Sequence, residues 1–216
     1  MDERTEALVL RTRVFTETSL VVQWLTRDFG RVTTVAKGAL RPKSPFRGKI
    51  DLFYIVDITF HRARSSDLHN LREAVVIDSQ PSLRTTIELL SKASYAVRFI
   101  EQTTEADTPL PNMFQMVAGF LKFIPGHPVH STLILGLELK LLFELGLEPH
   151  GGKSSLSPGS ARIARALVEM PWEGIVRLRP SPSQLREIEQ FLHGFIIYHL
   201  GKIPPGRSEA LRAAST

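Results

Sequence analysis

The fold class that the sequence predicts is α+β, on three observations. Five short runs rich in β-branched and apolar residues crowd into the stretch from Leu8 to Val76. The character changes at Asp78-Ser-Gln-Pro-Ser82. From Leu83 onward the apolar residues recur at helical spacing. Short connections make the strands antiparallel neighbours, and five of them with functional loops fit an OB-fold barrel. The expected architecture is an N-terminal five-stranded OB-fold β-barrel over residues 1–79, followed by an all-α helical-bundle domain over residues 80–216.

The first run is Leu8 to Phe15, with Arg11 and Arg13 on one face and Leu8, Leu10 and Thr12 on the other. The second is Ser19 to Thr26. Arg27-Asp28-Phe29-Gly30 supplies a turn in which Gly30 is free to take positive φ. The third, Arg31 to Lys37, sets Arg31, Thr33, Val35 and Lys37 against Val32, Thr34 and Ala36. The clearest alternation is Leu52, Tyr54, Val56, Ile58 and Phe60 against Phe53, Ile55, Asp57, Thr59 and His61. A polar hairpin loop, Arg62 to Asp67, returns the chain as a fifth strand from Leu68 to Val76.

In the second part, Ile87, Leu90, Ala93, Ala96 or Val97, and Ile100 mark the buried stripe of a helix between Leu83 and Glu105. Met113 to Ile124 is a second helix, ended by Pro125-Gly126. His130 to Leu145 is the most apolar and belongs in the middle of a bundle; Glu138, Lys140 and Glu144 interrupt it and it is too short to span a bilayer. Ser160 to Glu169 is a short helix. Pro180 to Leu200 is the last long one, with Ser181 or Ser183 as N-cap. Gly201 to Thr216 is expected to be loosely held. The charged start Met1-Asp2-Glu3-Arg4-Thr5-Glu6 has no apolar run behind it, so no signal peptide is expected.

Composition excludes several chemistries. With no cysteine there is no disulfide, thiolate nucleophile or cysteine-based metal site. The seven histidines are scattered and form no His-Glu-x-x-His. Gly151-Gly152-Lys153-Ser154 lacks the glycine spacing and the preceding strand of a phosphate loop. Glu187 and Glu189 cannot face each other on a helix. No nucleophile sits with its base, so an enzyme, a metal and a cofactor are not expected.

The charge is informative. Residues 1–77 carry 13 Lys/Arg against 9 Asp/Glu, whereas residues 78–216 carry 14 against 13. Six basic residues and no acidic one lie between Arg31 and Lys49: Arg31, Lys37, Arg41, Lys43, Arg47 and Lys49. Gly38, Pro42, Pro45 and Gly48 make the middle of this stretch a loop. A polyanion would relieve its self-repulsion and gain charge-assisted contacts to phosphate. Arg11, Arg13, Arg62 and Arg64 extend the basic surface. Trp24, Phe46, Phe53 and Phe60 are nearby; most belong in the core, and Phe46, inside the loop, is the candidate for exposure and base stacking. The competing reading is a non-catalytic protein–protein adaptor whose basic loop binds an acidic partner.

Ala7-Leu-Val-Leu-Arg-Thr-Arg13, Glu17-Thr18 before Leu20-Val-Val, Leu25-Thr26 with Gly30, Val35-Ala-Lys-Gly-Ala39, the loop through Ser44 and Gly48, and Phe53 together resemble the RecO family of bacterial recombination mediators and DNA-repair proteins. Leu137-Glu138-Leu139 to Leu145-Gly146-Leu147 is similar to that family's central helix, and Gly201-Lys202 with Arg207-Ser208 to its C-terminal tail. The resemblance implies an OB-fold that binds single- and double-stranded DNA without enzymatic turnover. It implies partners RecR and the single-strand-binding protein, whose C-terminal tail docks on the helical domain. It also implies strand annealing and RecA loading, in the bacterial cytoplasm at the nucleoid. On this reading the basic residues contact phosphate and carry little sequence information. Lys140 and the apolar helix around it are the candidate partner contact. Many members carry a four-cysteine zinc module after the central helix; here Glu148 to Ser157 is short and cysteine-free, so zinc is not expected.

Overall fold

A computed structural model describes residues 1–128, 130–148 and 156–212. His150, the Gly151-Gly152-Lys153-Ser154 stretch and most of the cysteine-free segment after the central helix lie outside the described residues. The chain divides into two units: Met1–Ser82 with Thr104–Leu121, and Leu83–Thr103 with Lys122–Thr216.

The first unit holds five strands: β1 (Asp2–Val14), β2 (Leu20–Thr26), β3 (Gly30–Ala36), β4 (Ile55–His61) and β5 (Leu68–Asp78). They close into a barrel in the order β1-β2-β3-β5-β4. β1 is long enough to serve two neighbours, pairing with β4 from Asp2 to Leu8 and with β2 from Ala7 to Val14. The expectation of antiparallel neighbours holds at four of the five seams. β3 and β5 run parallel, from Thr33↔Leu68 to Val35↔Asn70. Parity is the reason: strand directions cannot alternate all the way round a ring with an odd number of members. This closed, five-stranded barrel is an OB-fold.

Inward residues Ala7, Val9, Val22, Trp24, Val32, Val56, Ile58, Phe60, Leu71 and Ala74 fill the barrel. Trp24 Nε1 donates to Thr34 Oγ1 at 2.8 Å, so the largest core side chain brings no unpaired donor inside. Two sequence expectations need correction. Leu10 sits at an irregularity between Val9↔Trp24 and Arg11↔Gln23. The extra residue shifts the alternation by one, so Thr12, opposite Val22, shares the inner face with Val9. The fourth strand also starts later than the alternation implies. Phe53 takes φ +68° and is buried, while Leu52 is exposed. Phe53 N–H donates to the Val9 carbonyl at 3.1 Å and its own carbonyl accepts from Gln80 Nε2 at 3.0 Å, which holds the unusual backbone in place.

The barrel unit includes Thr104–Leu121. Asp107 N–H donates to the Arg31 carbonyl at 2.9 Å, and Thr108 lies directly over Gly30. Gly30 has φ +69°, and a Cβ there would stand 1.9 Å from the Thr108 carbonyl oxygen. The glycine is needed for the turn and for this close approach.

The helices are α1 (Ile87–Thr103), α2 (Pro111–Phe123), α3 (Ser131–Glu144), α4 (Pro158–Glu169), α5 (Trp172–Ile175), α6 (Pro182–Leu200) and α7 (Arg207–Leu211). In the second unit α3 is buried on nearly all sides, from Thr132 to Leu139, as its composition requires. α6 begins with Ser181 in a reciprocal capping box with Gln184 and ends at Gly201 in the left-handed conformation. Ile87, expected on the buried stripe of α1, is exposed, because α1 starts there rather than at Leu83. The C-terminal stretch is not loosely held as far as Arg212: α7 forms, and Arg207 is buried in an ion pair with Glu138 of α3. Among the described residues no helix is long and apolar enough to cross a membrane.

Candidate nucleic-acid interface

The connection from Ala36 to Ile55 carries most of the predicted basic residues. It leaves β3 where Ala36 faces Leu20, and it rejoins the barrel at Ile55, which faces Leu8 and Asp78. It therefore lies at the barrel end where β2 and β4 begin. Successive turns shape it: Ala39 N–H to the Ala36 carbonyl at 3.3 Å, Arg41 to Gly38 at 3.1 Å, Ser44 to Arg41 at 3.0 Å, and Lys49 to Phe46 at 3.0 Å. Gly38 and Gly48 have φ of +70° and +72°, which lets the chain fold back twice in so few residues.

Phe46 corrects a sequence expectation. It is 6% exposed and belongs to the barrel core, with Ala39, Ile50 and Tyr54 packed around the same cluster. The apolar ring anchors the loop, and it is unavailable to a base in this conformation. The same burial gives the cations their direction, since a loop pinned inward at Phe46 turns its polar side chains to solvent.

Lys37, Arg41, Lys43 and Arg47 are exposed and Lys49 is half-buried. None of the five forms an ion pair among the described residues. Arg47 Nη1 donates to the Pro42 carbonyl at 3.1 Å and braces the loop. Arg11 and Arg13, both exposed, sit on β1 opposite Gln23 and Val21 and extend the basic surface toward the same end of the barrel.

The remaining predicted cations are placed differently. Arg31 donates through Nε and Nη2 to the Thr104 carbonyl, at 3.3 and 2.9 Å, and so fastens the Thr104–Leu121 segment to the barrel. Arg62 is held by Glu3 at 2.9 Å and by Asp107 at 2.7 Å, and it lies over the rings of Phe29 and Phe60. Its hydrogen bond to Glu3 raises its pKa above the usual arginine value despite partial burial. Both guanidinium groups are committed to structure. Arg62 and Arg64 also emerge after His61, at the far end of β4 from the basic loop, about 20 Å away by strand rise. The structure does not bring them to the loop.

Lys140 is likewise turned to a structural task. Its Nζ donates to the carbonyls of Val168 and Met170, at 2.5 and 2.7 Å, and lies over the Trp172 ring. It caps the C-terminal end of α4, and burial pushes its pKa down.

Sequence reasoning missed Phe15. It is 54% exposed in the β1–β2 turn, and it lines a groove of about 410 Å³ with Lys37 and Arg41. The available signal was its place at the very end of the β-run, directly ahead of the polar residues Thr16, Glu17 and Thr18. Among the described residues no group of three or more His, Asp or Glu side chains is placed to hold a metal ion.

The sequence matches the family descriptions "Recombination protein O N terminal" over residues 1–80 and "Recombination protein O C terminal" over residues 84–153. It is 31% identical over 183 residues to the DNA repair protein RecO of Rhodopirellula baltica, covering 83% of this chain and 68% of that protein. It is 28% identical over 150 residues to the DNA repair protein RecO of Exiguobacterium sibiricum, covering 69% and 59% respectively. Against the DNA repair protein RecO of Salinibacter ruber it is 26% identical over 241 residues, covering 97% and 93%. On both family matches, on these relatives and on the closed five-stranded barrel, the chain belongs to the RecO family of DNA repair proteins.

Proposed function

We propose that the protein is a DNA-binding recombination mediator without enzymatic turnover. Lys37, Arg41, Lys43, Arg47 and Lys49, with Arg11 and Arg13, hold the phosphates of single- and double-stranded DNA. In this role it promotes annealing of complementary strands and, with RecR and the single-strand-binding protein, the loading of RecA onto single-stranded DNA. The C-terminal tail of the single-strand-binding protein docks on the helical unit, and the work takes place in the bacterial cytoplasm at the nucleoid.

The observation that carries this reading is the basic loop: five cations between Lys37 and Lys49, with no ion pair to any described residue, on a segment anchored in the barrel core by Phe46. Phosphates supply the charge such a loop lacks, and contacts of this kind are blind to sequence.

The test is a salt titration of binding to a fluorescent single-stranded oligonucleotide. Steep weakening with salt is expected. The triple variant Arg41→Ala/Lys43→Ala/Arg47→Ala is expected to lower affinity for all sequences and to make the log–log slope shallower by about 2. No binding at low salt would overturn the reading in favour of an adaptor whose loop meets an acidic protein.

A further inference from the structure

Phe15 is the one Phe, Tyr or Trp side chain on the exposed side of the barrel unit among the described residues; Trp24, Phe46, Phe53 and Phe60 are buried. Val14, which precedes it, and Leu40 of the basic loop are also exposed. The turn beneath it is well tied. Phe15 N–H donates to the Ser19 carbonyl at 2.9 Å, and Leu40 N–H donates to the Thr18 carbonyl at 2.9 Å, which ties the basic loop to the β1–β2 turn. The groove that results is lined by Phe15, Lys37 and Arg41 together with Thr16, Thr18 and Val35. Glu17 of the same turn does not line it.

An aromatic ring held in water beside two cations suits one kind of ligand especially well. A duplex offers phosphates but keeps its base faces stacked on one another. A single strand offers phosphates and open base faces together. Barrels of this architecture use the β1–β2 loop for ligands. We propose that Phe15 is a base-stacking residue and that the groove it lines with Lys37 and Arg41 takes one unpaired nucleotide, so that this site separates single-stranded from double-stranded DNA. The proposal rests on the nucleic-acid reading above and adds the selectivity that charge alone does not provide.

The experiment compares the intact protein with Phe15→Ala, Phe15→Trp and Lys37→Ala/Arg41→Ala. The probes are a single-stranded oligothymidylate, a duplex of equal length, and an oligonucleotide of abasic sites that keeps the phosphates. Phe15→Ala is expected to weaken single-strand binding by about 5- to 150-fold, with duplex and abasic binding unchanged. Phe15→Trp is expected to restore binding and to add fluorescence that the single strand quenches and the abasic strand does not. Lys37→Ala/Arg41→Ala is expected to weaken all three.

Unchanged single-strand binding by Phe15→Ala, or an equal loss on all three probes, overturns the stacking proposal and leaves the phosphate reading standing. Absence of binding by the unaltered protein overturns both. A cationic, apolar tip also suits an anionic bilayer. If Phe15→Ala abolishes binding to phosphatidylglycerol vesicles while leaving single-strand affinity intact, the ring serves a membrane surface and the stacking proposal fails. Because Phe15 is exposed, its variants are expected to melt with the unaltered protein, and a melting scan checks this.

Discussion

Arg207 donates through Nε and Nη2 to the two carboxylate oxygens of Glu138, at 2.7 and 2.9 Å. Glu138 is fully buried on α3 and Arg207 is 6% exposed on α7. The two-point geometry satisfies both oxygens, and the Tyr95 hydroxyl adds a further bond to the same carboxylate. Removing one partner leaves an uncompensated charge in the interior. Arg207→Ala is therefore expected to destabilise the second unit by about 3–5 kcal/mol. Glu138→Leu/Arg207→Met is expected to lose less than that single change. Urea denaturation checks the order.

Tyr95 gives the same cluster an alkaline limit. Burial, and after it the Glu138 charge, push its phenol well above the usual range. The folded value is the raised one, so the contribution to stability is complete below the unfolded phenol value of about 10 and is lost as pH rises beyond it. The melting temperature is expected to fall more steeply above pH 10 than in Tyr95→Phe, once the latter's lower baseline is subtracted.

Glu187 gives an acid limit at the start of α4. The Ser160 hydroxyl, then the Ser157 N–H and hydroxyl, donate to its carboxylate and hold its pKa below the ordinary glutamate value. Its folded value is the depressed one. The contribution is present above the unfolded value of about 4.3 and is lost as pH falls through the lower folded value. Thermal scans below pH 5 are expected to show a shallower decline for Glu187→Gln than for the unaltered protein.

Gly30→Ala tests the close approach of Thr104–Leu121 to the barrel. The left-handed backbone alone costs about 1–3 kcal/mol with a side chain, and the contact with the Thr108 carbonyl adds to it. Increased proteolysis near Thr108, together with a lower melting temperature, is the expected result.

Phe46→Ala separates the anchor from the cations. Loss of a buried Phe is expected to destabilise the barrel by about 3–5 kcal/mol. DNA affinity is expected to fall as well, although no cation has been removed, because the loop loses its apolar hold. Calorimetry and the salt titration together read both effects.

Much of this was legible because period-two alternation and helical spacing are local signals. Val56, Ile58 and Phe60 face inward as their spacing requires, and Ser181 caps α6 as its chemistry suggests. What was not legible depends on distant chain. Phe46 looked exposed because a basic, Pro- and Gly-rich loop gives no hint of the barrel end beneath it. Arg31 and Arg62 looked available because their partners, the Thr104 carbonyl and Asp107, lie far along the sequence. Lys140 looked available to a partner because its acceptors, the Val168 and Met170 carbonyls at the end of α4, also lie far along the sequence. Composition identifies a cation; only its neighbours decide whether a ligand can have it.

The parallel seam between β3 and β5 also bears on how the chain comes to be folded. β1, β2 and β3 can assemble by turns as soon as they are synthesised, but the ring closes only when Leu68–Asn70 reaches Thr33–Val35. Until then β3 presents an unpaired edge, and the basic loop has no complete floor on which to seat Phe46. Closure through such a distant pairing is slow relative to hairpin formation. A nascent chain that has not yet emerged past β5 therefore carries the cations of the basic loop without their arrangement, and that arrangement arrives late, with the last strand.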